Sequence, residues 1–192
     1  MIMEIYHEVA PLLEEFSRMG LGDSKELPQI DLYMDQVITL LERNLKDFRR
    51  GEKDPLITGT MVNNYAKAKL LPAHNKKKYT GDHVLYLQVI YLLKQVLSTK
   101  DIGVLMGQVE RETFEGFYEA TRKVQHRAFV QLEDEVRDLC QQMEEDSERD
   151  PMLMLILGLA SEAWARKLLI ERLLDSHYAS AEGEKEKENT KR

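Results

Sequence analysis

The chain has 192 residues, 43% hydrophobic and 32% charged, a balance that fits a folded protein and excludes one disordered throughout. Only 10 Gly and 5 Pro interrupt it, which favours long helices over a turn-rich β fold and leaves room for one or two compact domains. The formal net charge of −7 speaks against a uniformly basic nucleic-acid binder, yet the charge is uneven. Residues 43–100 hold 12 Lys and Arg against 4 Asp and Glu, a net of +8. Residues 1–29 hold 2 against 6, and residues 109–192 hold 13 against 20. A basic band between acidic flanks supplies a local phosphate-binding surface whatever the global sign; a merely solvated basic face is the alternative.

Cys140 is the single cysteine, so no intrachain disulfide is expected, and a reducing, cytoplasmic setting is. The start, MIMEIYHEVAPLLEEF, is acidic and helix-patterned, unlike a secretion signal. The apolar run at 152–160 is far shorter than the ~20 residues a membrane-spanning helix needs, so no membrane partner is expected.

Along the chain, Ile5, Val9, Leu12, Leu13 and Phe16 recur at helical spacing over 2–18, with Pro11 either kinking that helix or starting another. Residues 20–29 read as a connector. Ile30, Tyr33, Val37, Leu41, Leu45 and Phe48 share one face of a helix over 30–48, and Gly51 and Pro55 end the pattern. A short helix over 60–70 stops at Pro72, and a polar, basic loop or small hairpin fills 72–80. Between Val84 and Leu97 only Gln88, Lys94 and Gln95 are not apolar, which marks a helix buried at a domain centre. Ser98 and Asp101 have capping-box spacing and open a short helix carrying Ile102, Leu105 and Met106. One apolar stripe from Phe114 to Met143 predicts a single helix over 110–145. Asp150 as N-cap and Pro151 at the first helical position then open a last helix to about 177. The tail, 179–192, has no apolar period and is expected to be disordered.

The short helix carries the chemistry. With Thr58 or Thr60 as its cap, Val62, Tyr65, Ala66 and Lys69 fall on one side, and Thr60, Asn63, Asn64 and Lys67 on the other. That second face is short, polar and free of acids. Asn can pair bidentately with adenine, and Thr and Lys suit base edges and phosphates. Lys76, Lys77 and Lys78 follow directly, as the basic wing of a winged helix-turn-helix would. Tyr65 and Tyr79 are expected to be structural, packing the short helix and the wing on helix 84–97.

The segment ITGTMVNNYAKAKLLP…KKYTGDHVLYLQVIYLLKQVLSTKDIGVLM resembles the winged helix-turn-helix of the MerR family. Val62, Tyr65, Leu70, Leu71 and Pro72 fit its helix, Tyr79, Thr80 and Val84 its wing, and Leu97, Ser98, Asp101 and Ile102 its later turn. Asn63 stands where that family has a DNA-contacting Arg and Asn64 where it has an aromatic; Lys69 replaces the helix-ending Gly. The family's first helix is missing from 49–55, and the longer helix 30–48 takes its place. LPQIDLYMDQVITLLERNL with TGTMVNNYAKAKLLP is closer still to a bacterial family, domain of unknown function 1836, over about 27–107. That resemblance implies a MerR-like fold and implies no promoter, ligand or pathway.

Phosphate-binding and dinucleotide glycine patterns are absent, and the five His are scattered without metal-ligand spacing, His74 and His83 included. The acids at 144–148 read as a solvated turn rather than a cation site. Neither an enzyme, nor a cofactor, nor a metal is expected. The aromatics Phe114, Phe117, Tyr118, Phe129 and Trp164 read as core or dimer seam, with a pocket for an unidentified small-molecule effector between the last two helices as the alternative.

The expectation is therefore an all-α protein: an N-terminal helix (1–26), a MerR-like winged helix-turn-helix with a small wing (27–108), a C-terminal helical pair (109–178) for dimerisation or effector binding, and the tail. Its function would be sequence-specific binding of double-stranded DNA in transcriptional regulation. It would act as a homodimer seamed by 110–178, because two packed helices cover only one stripe apiece. The N-terminal helix covering the remainder within one chain is the monomeric alternative. The rival function is a helical protein-interaction module that kept the fold and lost DNA affinity, with Asn63, Asn64 and the lysines buried or paired to acids.

Overall fold

The computed structural model describes residues 2–51, 54–73, 78–142 and 149–189, with side chains from Glu4 to Tyr178 within those spans. Among them lie seven α-helices: α1 (Ile2–Arg18), α2 (Met34–Asn44), α3 (Gly59–Lys67), α4 (Gly81–Lys94), α5 (Thr99–Met106), α6 (Phe114–Gln142) and α7 (Pro151–Asn189). Short 3₁₀ turns stand at Ser24–Glu26, Lys46–Phe48 and Arg111–Thr113. The expected helix over 30–48 is thus shorter, and that over 110–145 starts with a separate turn. Pro11 sits inside a single helix rather than dividing it. The helical backbone of α7 continues to Asn189, past the expected end near 177. Ala, Glu and Lys there are good helix formers, which an apolar period does not report. The acidic turn at 144–148 and Met143 lie outside the described residues.

α4 is the centre. Eight consecutive residues, His83 to Ile90, are buried, so every side of the helix is covered. α2, α5 and α6 pack on it, and the core around it takes in Leu41, Leu45, Val62, Tyr65, Ile102 and Tyr118. Tyr86 stacks on Phe114 with ring centroids 3.5 Å apart, fixing the start of α6. The helix ends are held as their residue types require. Ser98 Oγ accepts from the Asp101 amide at 3.2 Å while an Asp101 carboxylate oxygen accepts from the Ser98 amide at 3.3 Å, a complete capping box. Asp150 accepts from the Met152 amide at 2.9 Å.

The connector before α2 is fastened to α6 by polar contacts. The Tyr118 hydroxyl donates to the Gly22 carbonyl at 2.7 Å, the Leu21 amide donates to Gln125 at 3.3 Å, and the Ser24 amide donates to Glu119 at 3.2 Å. Arg122 pairs with Glu119 at 2.9 Å and with Asp23 at 3.6 Å. Burial pushes the Tyr118 phenol far above its ordinary range, so it stays a donor at any physiological pH.

A second, smaller core joins α1, α6 and α7 through Ile5, Leu13, Val136, Cys140 and Leu155. α1 lies mainly along α6 and leaves one side of α7 in solvent, where Leu153, Ile156, Leu157, Leu168 and Trp164, 66% exposed, stand at helical spacing. No helix among the described residues is long and apolar enough to cross a membrane.

Leu87 has no exposure and sits mid-α4, whereas Val124 is 67% exposed on α6. Leu87→Ala is expected to cost about 2–5 kcal/mol in denaturant unfolding, and Val124→Ala to stay within about 0.5 kcal/mol. Equal effects would mean that α4 is not the centre of the fold.

Candidate nucleic-acid interface

α3 begins where Thr58, in extended conformation, accepts from the Met61 amide through its hydroxyl at 3.2 Å. Val62 and Tyr65 are buried against the core, and Met61 and Ala66 are half-buried. Thr60, Asn63, Asn64 and Lys67 are all exposed and occupy the opposite face, together as the helical period requires. No acidic side chain interrupts that face, so its donors and its single cation point to solvent uncompensated.

The end of α3 repays its sequence. Lys69 has a φ of 58°, the only positive φ at a non-glycine among the described residues. The Ala68 amide donates to the Asn64 carbonyl at 2.9 Å and the Leu70 amide to the Tyr65 carbonyl at 3.0 Å, closing a left-handed cap. The chain thus makes the turn a glycine would make, with a lysine in its place. It then drops Leu70 into the core, 4% exposed.

The basic loop is placed differently. Lys76 and Lys77 lie outside the described residues, as does His74. Lys78 is described: its ammonium stands 3.6 Å from the Asp31 carboxylate, both side chains about half exposed. Next to it Tyr79 forms an antiparallel bridge with Leu32, the Leu32 amide donating to the Tyr79 carbonyl at 2.7 Å and the reverse bond measuring 2.9 Å. Among the described residues this bridge is the only strand pairing. It joins the loop to the segment ahead of α2, not to a second arm within 72–80. Periodicity carries no signal for a pairing 47 residues apart, so the sequence does not mark Asp31 as a partner for Lys78.

Tyr65 and Tyr79 are both buried, 6% and 3% exposed, and burial raises both phenol pKa values. Tyr79 packs edge-on against the His83 ring at 5.4 Å. His83 belongs to the cap of α4: its Nδ1 accepts from the Thr80 amide at 3.1 Å, which leaves that nitrogen unprotonated. Among the described residues no group of three or more His, Cys, Asp or Glu is disposed to hold a metal ion.

Residues 23–124, more than half of the chain, match the model of a domain of unknown function (DUF1836). The chain belongs to that family. The DUF1836 span starts at Asp23, the cap of the turn before α2, and runs through α5 into α6, so it encloses α3, α4 and the Leu32–Tyr79 bridge. The five buried residues of the second core all lie outside it. No curated protein and no solved structure matches the chain.

A left-handed lysine costs about 1 kcal/mol relative to glycine at the same position. Lys69→Gly is therefore expected to raise stability by up to about 1 kcal/mol, and Lys69→Val to lower it by more than that, in thermal melts. A destabilised Lys69→Gly would mean that the residue does not adopt the left-handed cap in solution.

Proposed function

We propose that this protein binds double-stranded DNA sequence-specifically, through the outward face of α3, as a transcriptional regulator. The observation that carries the reading is the composition of that face: Thr60, Asn63, Asn64 and Lys67 are exposed side by side, and Val62 and Tyr65 anchor the helix from behind. A short helix packed beside α2 and seated in the core through Val62 and Tyr65, with Asn and Thr outward, suits insertion into a major groove. The net +8 of residues 43–100 favours phosphate contact on either side of it. The order of α2, α3, a basic loop tied by one antiparallel bridge, and a buried α4 supports a MerR-like winged arrangement in which Lys76, Lys77 and Lys78 form the wing.

The uncovered side of α7 supports a homodimer. A chain of this size rarely leaves Leu153, Ile156, Leu157, Trp164 and Leu168 in water on one side of a helix, and α1 lies mainly along α6. A two-fold partner would cover that side and present two copies of α3 to half-sites one DNA turn, about 34 Å, or a multiple of it apart.

One observation favours a second reading, a protein-interaction module without DNA affinity: the Lys78–Asp31 pair partly neutralises one of the wing cations. An exposed pair of this kind is worth little, about 0–1 kcal/mol, and a phosphate would compete for the lysine.

Fluorescence anisotropy on duplex DNA at several salt concentrations separates the two. Lys67→Ala is expected to flatten the log–log salt slope by about 0.9, the contribution of one phosphate contact. Asn63→Ala is expected to lose about 1–3 kcal/mol on a preferred sequence and far less on random duplex. No salt-dependent binding by the parent protein would leave the interaction module as the reading. Light scattering tests the dimer: a mass near twice 22.4 kDa is expected, returning to 22.4 kDa in Trp164→Glu. A parent mass of 22.4 kDa, free and on DNA, would remove the dimer and the paired half-sites.

A further inference from the structure

From Gly51 to Glu110 the chain holds eight lysines and no arginine. The arginines of the basic band stand elsewhere: Arg43 in the last turn of α2, then Arg49 and Arg50 just before Gly51, with Arg49 paired to Glu42 at 2.6 Å. All cations of the sequence from α3 through α5 are therefore of one kind. The difference is chemical. An arginine fork meets guanine O6 and N7 together and is the commonest reader of that base, whereas a lysine ammonium is a point charge that suits phosphate.

The outward ridge of α3 is built from neutral groups instead. It runs from Thr60 through Asn63 and Asn64 to Lys67, about 10 Å along the helix, or the rise of about three base pairs. Neither Asn amide makes a hydrogen bond among the described residues, and neither does the Thr60 hydroxyl. The Thr58 hydroxyl, by contrast, is taken up by the Met61 amide. The ridge also lacks the acid that would accept from cytosine N4. Apart from Lys67, in the last turn of the helix, it holds no group of the kinds that read a G·C pair.

We infer that the base pairs facing α3 in the preferred site are A·T, selected in the major groove by Asn63 and Asn64. An Asn amide accepts from adenine N6 and donates to adenine N7, two bonds at once. Before guanine its oxygen faces O6, acceptor against acceptor, and one of the two bonds is lost. Thr60 adds a methyl group that suits the thymine methyl. Lys67, followed by the left-handed Lys69, closes the ridge and takes phosphate, which carries no sequence. This selection rests on the DNA reading of α3 and names the class of sequence that it takes.

The test is fluorescence anisotropy of the full chain on three duplex pools of equal length and identical flanks, made by primer extension. Their centres are randomised over A and T, over G and C, and over inosine and C. Inosine–cytosine pairs carry the major-groove pattern of G·C with the minor groove of A·T, so the third pool separates major-groove reading from a preference for groove shape. The A/T pool is expected to bind about tenfold more tightly than either of the others. Replacing its adenines by 7-deazaadenine removes the N7 acceptor and is expected to abolish most of that advantage. The double variant Asn63→Ala, Asn64→Ala changes two exposed side chains; it is expected to melt as the parent does and to bind the three pools alike. Lys67→Ala is expected to weaken binding to every pool by a similar factor. A G/C pool bound as tightly as the A/T pool would overturn the selection. So would an inosine pool that matches the A/T pool, or a double variant that keeps the preference; in each case the DNA reading itself stands. No binding to any pool would remove both.

Discussion

The all-round burial of α4 is the constraint from which the other positions follow. A helix with eight consecutive buried residues needs neighbours on every side, and no single partner helix can provide them. α2, α5 and α6 each take a share, and the connector at 19–27 closes a further gap by fastening to α6 through Tyr118, Glu119 and Gln125. α3 then rests on this centre through Val62 and Tyr65, whose burial decides which of its faces is left outward. The polar face of α3 is thus a consequence of what its inner residues must cover. The Leu32–Tyr79 bridge closes the same unit at the start of α2 and of α4.

Much of this was legible in the chain. The 3.6-residue period gave α1, α2, α3 and α6, the nearly continuous apolar run gave α4 as the centre, and Ser98 with Asp101 and Asp150 with Pro151 gave two helix starts. Lys69 is the sharper case. A lysine standing where the resembled family has a helix-ending glycine does adopt the left-handed conformation that such a glycine serves. What stayed hidden was long-range. Nothing local to Lys78 points to Asp31, nothing in 72–80 points to pairing with Leu32, and the side of α1 that meets α6 is not distinguishable from one that would meet α7. Periodicity reports which face of an element is buried, not what buries it.

Two surfaces of opposite character result. The outward face of α3 is polar, acid-free and set in the basic part of the chain, within the DUF1836 span. The open side of α7 is apolar, set in the acidic part and outside that span. The proposed division of labour, with one surface for nucleic acid and the other for a second copy, would account for both. It would also account for an acidic chain carrying a basic band, because the acids sit mainly where no phosphate need approach.

The central claim is that the side chains on the outward face of α3 read base sequence. Selection of the purified protein on a random duplex library tests it most directly, run in parallel with an Asn63→Ala, Asn64→Ala variant whose fold is checked by thermal melting. The account predicts that the parent enriches a defined sequence and that the variant, equally folded, does not. No enrichment by the parent, or the same sequence enriched by both, would contradict it.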